Sequence, residues 1–204
     1  MASYVIAVTG ASGASYGLRL IEELLRRGDD VDLIISPSGF LLLREETGFT
    51  LAPGGGGGAD VAETIRAAFK GARGKLGYTP SDELTSPLAS GSALKKTMVI
   101  CPCSMGTLAR VATGVSGNLI ERAADCTIKE NGRLVLVPRE TPLSAIHLEN
   151  MLKLARLGVA IVPAMPAFYS KPETLDDAVD FVVGKVLDVL GVENDLYKRW
   201  TGKE

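Results

Sequence analysis

The chain has 204 residues, of which 46% are hydrophobic and 23% are charged, so its size suits one domain with a sizeable core. The 22 basic and 24 acidic residues leave a net charge of -2, which excludes a global field that would draw the protein to nucleic acid or anionic membranes. The chain has 3 cysteines and 1 histidine, which disfavours a zinc site or a histidine-based triad. We therefore expect no metal.

The amino-terminal segment, residues 1–8, lacks the basic region, long apolar core and cleavage site of a signal peptide. Apolar stretches elsewhere are interrupted well short of the roughly 20 residues that span a bilayer. We therefore expect no membrane partner and a cytoplasmic location.

Strand and helix patterns alternate along the chain. An apolar run at residues 4–9 predicts a strand, and apolar residues at helical spacing across 15–27 predict a helix. The same reasoning predicts strands at 31–35, 97–101, 134–137 and 159–162, and helices at 38–47, 107–112, 119–129, 144–157 and 175–190. This alternation predicts a single α/β domain over residues 1–204, a Rossmann/flavodoxin-like three-layer fold with a mainly parallel sheet.

Two segments depart from the alternation. Five successive glycines, Gly54 to Gly58, predict a surface loop because ordering them is entropically unfavourable. The tail, residues 192–204, carries Tyr197 and Trp200 among charges, too few apolar residues for a core of its own. We interpret this tail as an oligomer-forming arm.

The first strand-to-helix turn, Thr9 to Gly17, consists of small and hydroxyl residues that let backbone N–H groups approach an anion. It is not the dinucleotide fingerprint, since Ser12 replaces the middle glycine and the second strand ends in Ser36 instead of an acid. The turn favours a mononucleotide phosphate. The alternative is a tight turn without a ligand.

A second turn of this kind, Cys101 to Thr107, follows the third predicted strand. Ser104 and Thr107 offer hydrogen bonds, and Met105 offers a soft apolar contact to a ring. Ligands of open α/β sheets bind at such carboxyl ends of strands. The alternative for Ser104 is a helix N-cap, which is compatible with binding. We interpret Cys101 and Cys103 as packing residues.

A third group of polar side chains includes Asn118, Arg122 and Lys129, followed by the loop Pro138 to Pro142 after a predicted strand. Arginine forks suit phosphate, and the prolines stiffen the loop that presents Arg139 and Glu140. The alternative for an Arg-Glu pair is an ordinary solvated surface contact.

Two later candidates are weaker by pattern alone. His147 lies in a helical stretch with apolar neighbours, where a packed or capped histidine is the favoured interpretation. The segment Pro163 to Tyr169 follows the last predicted strand, and Lys185 lies on the next predicted helix. Tyr169 has a polar end available for a ligand.

In this order, these segments closely resemble the UbiX flavin prenyltransferases over nearly the whole chain. The matching motifs are Thr9 to Gly17, Cys101 to Thr107, Asn118 to Asp125, Val137 to Glu140, His147 to Met151 and Pro166 to Tyr169. The resemblance implies a flavodoxin-like subunit that forms a homododecamer and binds flavin mononucleotide (FMN) at a subunit interface. It also implies that a dimethylallyl group passes from dimethylallyl monophosphate to N5 and C6 of reduced FMN without a metal. The product would serve a UbiD-type decarboxylase.

The resemblance also assigns residues to roles. Flavin would be held by Gly10, Ala11, Ser12, Ser36, Ser104, Met105, Gly106, Thr107 and Arg139. The prenyl phosphate would lie by Arg122, Lys129, Glu140, Tyr169 and Lys185. Catalytic roles would fall to Ser12, Lys129, Glu140 and Tyr169. Breaking an allylic C–O bond leaves a phosphate dianion, so cationic and hydroxyl donors make physical sense there. Either Glu140 or the departing phosphate is a candidate base for the ring proton.

Two departures from the family pattern are visible. Lys185 stands where the family commonly has arginine, which keeps the charge and loses the fork. Residues 82–92 lack a tryptophan that some members place near the substrate, with Leu84 nearby instead.

Two other functions remain as alternatives. An FMN-dependent cysteine decarboxylase would typically need an early histidine, which this chain lacks. A non-catalytic flavin carrier would give no functional role to four charged residues: Arg122, Lys129, Lys185 and Glu140.

Overall fold

A computed structural model of the chain describes residues 1–51, 58–93, 97–200 and 202. Most of the predicted glycine loop, residues 54–57, lies outside the described residues, and Gly58 begins a helix. Three residues of the predicted tail, 201, 203 and 204, also lie outside them.

Across the described residues, one sheet of 6 parallel strands has the order β3-β2-β1-β4-β5-β6. The strands are β1 Ser3–Val8, β2 Asp30–Ile35, β3 Leu76–Pro80, β4 Thr97–Cys103, β5 Arg133–Pro138 and β6 Ala160–Ile161. The chain reverses its direction across the sheet where β1 lies beside β4. The crevice outside the carboxyl ends of these two strands is therefore the topological switch point, where ligands of such folds bind.

Helices cover both faces of the sheet. They are α1 Ala14–Arg27, α2 Pro37–Thr47, α3 Gly58–Ala68, α4 Met105–Thr113, α5 Leu119–Lys129, α6 Ala145–Arg156 and α7 Leu175–Leu190, with short 3-10 turns at Pro87–Ala89 and Gly91–Ala93. Of the helices within these ranges, none is both long and apolar enough to cross a membrane.

The core forms two layers because alternate residues of each strand point to opposite faces. Ile6 and Val8 of β1 pack in one layer with α1 and α7. Val5 and Ala7 pack in the other layer with α4, α5 and α6. Both faces are buried, which explains why the strands appear in the sequence as continuous apolar runs.

The predicted fold class is confirmed. The predicted and observed helices and strands differ where the apolar pattern of the sequence is weak. The strand predicted at 159–162 is reduced to Ala160–Ile161. Neither α3 nor β3 is predicted from the sequence. β3 contains Gly77 and Pro80 and is only partly buried at the edge of the sheet, so it lacks the apolar run of the central strands.

Candidate functional site

The two small-residue turns are joined at the switch point by the side chain of Thr9. Its hydroxyl donates a hydrogen bond of 2.8 Å to the carbonyl of Pro102 and accepts one of 2.8 Å from the backbone N–H of Ser104. Thr9 is 1% exposed. This buried hydroxyl fixes the turn after β1 against the turn after β4, so the two predicted binding turns lie side by side.

Glycines keep the first turn free of side chains where other groups approach. A Cβ on Gly10 would lie 2.5 Å from the Cβ of Ser38, and a Cβ on Gly17 would overlap the carbonyl oxygen of Cys101. Gly13 has a φ of +112°, which disfavours other residues. The backbone from Gly10 to Ser12 therefore offers a surface suited to the phosphate or ribityl chain of FMN.

The predicted flavin-binding hydroxyls also cap helices. Ser36 Oγ accepts from the N–H of Gly39 at 3.0 Å, and Ser104 Oγ accepts from the N–H of Thr107 at 3.2 Å. Ser104 Oγ also donates to Thr107 Oγ1 at 3.0 Å. The capping alternative for Ser104 is thus confirmed. It fixes the start of α4, whose first N–H groups carry the positive end of the helix dipole.

Met105 is largely buried. Its side chain is only 7% exposed and packs in the core layer with Cys103 and Leu108. The predicted thioether contact to a ligand ring stays a prediction, because most of this side chain packs in the core of the single chain. What Met105 and the next residue, Gly106, present to the crevice is the beginning of α4.

Glu46 is a residue that the sequence reasoning missed. Its Oε2 accepts hydrogen bonds of 2.8 Å from the N–H groups of both Gly13 and Ala14. Desolvation alone would raise the pKa of Glu46, but the bonds from Gly13, the Ser12 hydroxyl and Ala14, together with the Arg139 charge, outweigh it and lower the pKa. A carboxylate therefore lies at the amino terminus of α1. The sequence gives little signal for it beyond an acid on the helix that follows β2.

Arg139 links the third predicted segment to the first turn. Its Nε donates a hydrogen bond of 3.1 Å to the carbonyl of Ser12. Arg139 and Glu140 also line a cavity of about 460 Å³ at the carboxyl ends of β5 and β6, and the Glu140 carboxylate accepts from the N–H of Thr141 at 3.0 Å. The other lining residues are largely apolar: Pro138, Thr141, Leu143, Met151, Pro163, Ala164 and Met165. Such a cavity suits a flat or branched apolar group beside one cation and one carboxylate.

Arg122 and Lys129 lie on α5, opposite the 3-10 turns. Arg122 Nε donates to the carbonyl of Ala89 at 3.1 Å, and its Nη1 contacts Asp125 at 2.8 Å. Lys129 Nζ contacts Glu130 at 2.8 Å, and this carboxylate raises the pKa of Lys129. Asn118 is the N-cap of α5 and accepts from the N–H of Glu121. Both cations are partly exposed and retain N–H groups for a ligand.

Tyr169 and Lys185 each contact an aromatic ring that packs on α7. The Tyr169 ring packs edge-on against Phe181 with centroids 5.9 Å apart, and Phe181 contacts Tyr197 at 4.9 Å. Lys185 Nζ lies 5.4 Å from the centroid of the Tyr197 ring. These two predicted phosphate ligands thus share one aromatic cluster.

The predicted phosphate-binding residues are nevertheless divided between the two faces of the sheet. The helix that carries Arg122 and Lys129 packs in the layer with α4 and α6. The helix that carries Lys185 packs in the layer with α1. A single chain therefore presents four of the five predicted phosphate ligands as two separate pairs, and the fifth, Glu140, lines the cavity beside Arg139.

His147 does not join either group. Its Nδ1 accepts from the N–H of Ser144 at 3.3 Å, and its own N–H donates to Ser144 Oγ at 3.3 Å. This is a capping box at the start of α6. The interpretation of His147 as a capping residue is confirmed.

The chain is similar to known flavoproteins in both sequence and structure. The model of the Flavoprotein family matches residues 2–187. A protein of Halalkalibacterium halodurans named flavin prenyltransferase UbiX is 50% identical over 197 residues, covering 97% of this chain and 92% of that protein. The crystal structure of AnUbiX (PadA1) in complex with FMN and dimethylallyl pyrophosphate superimposes with a TM-score of 0.86 at 35% identity, covering 100% of this chain and 99% of the other.

A dodecameric FMN-dependent UbiX-like decarboxylase from Escherichia coli O157:H7 has a TM-score of 0.84 at 39% identity, covering 98% of this chain and 100% of that one. Structures of FMN-dependent or peptidyl-cysteine decarboxylases are also similar, but at only 13 to 17% identity and TM-scores of 0.55 to 0.56. At that distance the similarity shows the fold alone.

Proposed function

The chain belongs to the UbiX flavin prenyltransferases of the flavoprotein family, and we propose that it transfers a dimethylallyl group from dimethylallyl monophosphate to reduced FMN. Family membership over almost the whole chain is the observation that carries this proposal. The joined turns after β1 and β4 support it, because they provide the backbone and hydroxyl donors that a mononucleotide needs.

We propose that the flavin lies in the crevice between these turns. The expected ligands are Gly10, Ala11, Ser12, Ser36, Ser104, Met105, Gly106, Thr107 and Arg139. Arg139 supplies the cation, and its bond to the Ser12 carbonyl holds it at the crevice. When bound, the reduced flavin supplies the nucleophilic N5 and the C6 position that together receive the prenyl group.

The prenyl phosphate is proposed to lie between Arg122 and Lys129 on one side and Tyr169 and Lys185 on the other. As the allylic C–O bond breaks, negative charge grows on the phosphate, so N–H and O–H donors there bind the transition state more strongly than the substrate. Because one chain carries the two pairs on opposite faces of its sheet, we propose that subunits assemble so that the pairs of different copies meet. A homododecamer is the assembly that we expect.

Glu140 is proposed as an acid or base. Its carboxylate is exposed in the cavity next to Arg139 and accepts a bond from the N–H of Thr141, which orients it. Removal of the flavin ring proton requires an acceptor at hydrogen-bonding distance. Glu140 and the departing phosphate both remain candidates for that role. Ser12, Lys129 and Tyr169 are proposed to donate hydrogen bonds to the reacting groups.

The two alternatives are less well supported. Cysteine decarboxylases resemble this chain only in fold, and His147, the single histidine, lies late in the chain, where it caps α6. A flavin carrier has no need of the cations Arg122, Lys129 and Lys185. We further propose a cytoplasmic protein whose product serves a UbiD-type decarboxylase, as in ubiquinone biosynthesis.

The test is anaerobic incubation of the purified protein with reduced FMN and dimethylallyl monophosphate, followed by mass spectrometry of the released flavin. A mass gain of one prenyl group supports the proposal. A parallel incubation with the pyrophosphate identifies the preferred donor, and oxidised FMN is the negative control. Unmodified flavin from fully loaded protein would reject prenyl transfer and leave the carrier and decarboxylase alternatives.

A further inference from the structure

The carboxyl-terminal segment that follows α7 folds back onto that helix. The Asp188 carboxylate accepts hydrogen bonds from three side chains of this segment. Tyr197 Oη donates at 2.5 Å, Arg199 Nη2 at 2.7 Å and Asn194 Nδ2 at 3.0 Å. The Arg199 hydrogen bond is the main cause that lowers the pKa of Asp188 to about 2. One ionised carboxylate therefore anchors three side chains of the segment.

Gly184 provides the surface on which the segment lies. A Cβ at this position would lie 2.5 Å from Cδ1 of Tyr197 and 3.0 Å from Oδ1 of Asn194. Glycine is unfavourable in the interior of a helix such as α7, so a close approach is a physical reason for its presence. The bare backbone at Gly184 lets the Tyr197 ring approach α7 closely and pack edge-on against Phe181.

The docked segment contacts both residues that are proposed to bind the prenyl phosphate from this face. Lys185 Nζ lies 5.4 Å from the centroid of the Tyr197 ring. The Trp200 ring packs edge-on against the Tyr169 ring with centroids 5.8 Å apart. Arg199 also lies over the Tyr197 ring, 5.2 Å from its centroid, so this ring contacts a second cation.

We propose that residues 194–200 form a positioning segment, in which Tyr197 orients Lys185 and Trp200 orients Tyr169 toward the phosphate of the prenyl donor. This role rests on the proposed function, in which Lys185 and Tyr169 bind that phosphate. Tyr197 and Trp200 are positioning residues, since they act through Lys185 and Tyr169 and not on the donor itself.

The physical reason is the flexibility of lysine. A lysine side chain carries one point charge on a flexible four-carbon stem, whereas the guanidinium group of arginine is planar and preorganised. Contact with an aromatic face limits the positions of the ammonium group. Ordering Lys185 before the donor arrives reduces the entropy lost on binding, which increases affinity for the phosphate.

The experiment compares the full-length FMN-loaded protein with Tyr197→Leu, Tyr197→Phe and Gly184→Ala, using anaerobic prenyl transfer at varied donor concentration. The control is Asp195→Asn, which removes an exposed carboxylate from the same segment. We expect Tyr197→Leu and Gly184→Ala to raise KM for dimethylallyl monophosphate about fivefold, while kcat and the Kd for FMN change less than about twofold. Tyr197→Phe retains the ring but loses the hydrogen bond to Asp188, so we expect its KM to lie between those of the wild type and Tyr197→Leu.

Different results would reject different parts of the proposal. If the wild type alkylates flavin and Tyr197→Leu lowers Tm without changing KM, the segment is structural and the positioning role is wrong. The same conclusion follows if KM for the donor and Kd for FMN rise together, because that indicates general loosening. If the wild type itself transfers no prenyl group, the proposed function fails and the positioning role fails with it.

Discussion

The carboxylate of Glu46, in the last turn of α2, lies 2.8 Å from the backbone nitrogen of Gly13 at the start of α1. An acid here stabilises the amino terminus of α1, where backbone N–H groups lack helical partners. The same carboxylate borders the turn that is proposed to bind flavin. Glu46 therefore stabilises the first turn and also places a negative charge beside the proposed flavin site.

Replacing Glu46 with glutamine should change how stability depends on pH. The pKa of Glu46 is lowered below its ordinary value of 4.5, so its ionised form stabilises the fold above that pH, and this contribution is lost as pH falls through the folded-state pKa. In urea unfolding, the wild type should lose more stability than Glu46→Gln between about pH 6 and about pH 3. Glu45→Gln, which removes only a surface contact with Arg44, is the control. Parallel acid limbs for wild type and Glu46→Gln would contradict the prediction.

Replacing Arg139 with alanine should weaken FMN binding. The substitution removes the cation from the crevice and the hydrogen bond to the Ser12 carbonyl. A charged hydrogen bond contributes about 1.5–3 kcal/mol, so the Kd for FMN should rise about 10- to 100-fold. Fluorescence titration measures this change, and Arg139→Lys should give an intermediate value. An unaltered Kd in Arg139→Ala would remove this residue from the flavin site.

Replacing Glu140 with glutamine should reduce prenyl transfer and leave FMN binding intact. The amide keeps the shape of the side chain but cannot accept a proton, and such general acid–base groups typically contribute about 10²- to 10⁴-fold in rate. Single-turnover assays with mass detection of the flavin product measure the loss. Glu149→Gln, an exposed acid on α6, is the matched control. Full turnover by Glu140→Gln with the correct product would leave the departing phosphate as the base.

Replacing Gly17 with alanine should destabilise the fold. The new Cβ overlaps the carbonyl oxygen of Cys101, so α1 must move away from β4, and overpacking of this kind costs about 1–3 kcal/mol. Urea unfolding should show the loss. Gly106→Ala is the control because its Cβ would only meet Arg110 Nη1 at 3.7 Å. Equal stability of the two variants would show that α1 and β4 are not closely packed here.

The thiols of Cys101 and Cys103 should not react in the folded protein. Burial raises the pKa of both, and that of Cys103 to about 12, so neither forms appreciable thiolate at about pH 8. Iodoacetamide labelling followed by peptide mass spectrometry should modify them only after unfolding in urea. Rapid labelling of the native protein would indicate that β4 opens.

Local sequence patterns predict much of the fold. The alternation of strand and helix, the cap at Ser104 and the composition of the turn from Thr9 to Gly17 depend on a few neighbouring residues, so the sequence shows them. The edge strand β3 was missed because Gly77 and Pro80 interrupt its apolar pattern. The inward direction of Met105 was also missed, since the composition of a turn does not determine which side chains face the core.

The sequence by itself determined the α/β class, the turns at the carboxyl ends of the strands and, through long motifs, the family. Only the tertiary structure decided that Glu46 reaches Gly13, that Arg122 and Lys185 lie on opposite faces of the sheet, and that Tyr197 packs on Gly184. The reason is physical: periodicity and capping depend on neighbours within about four residues, whereas these contacts depend on the face of the sheet on which each helix packs.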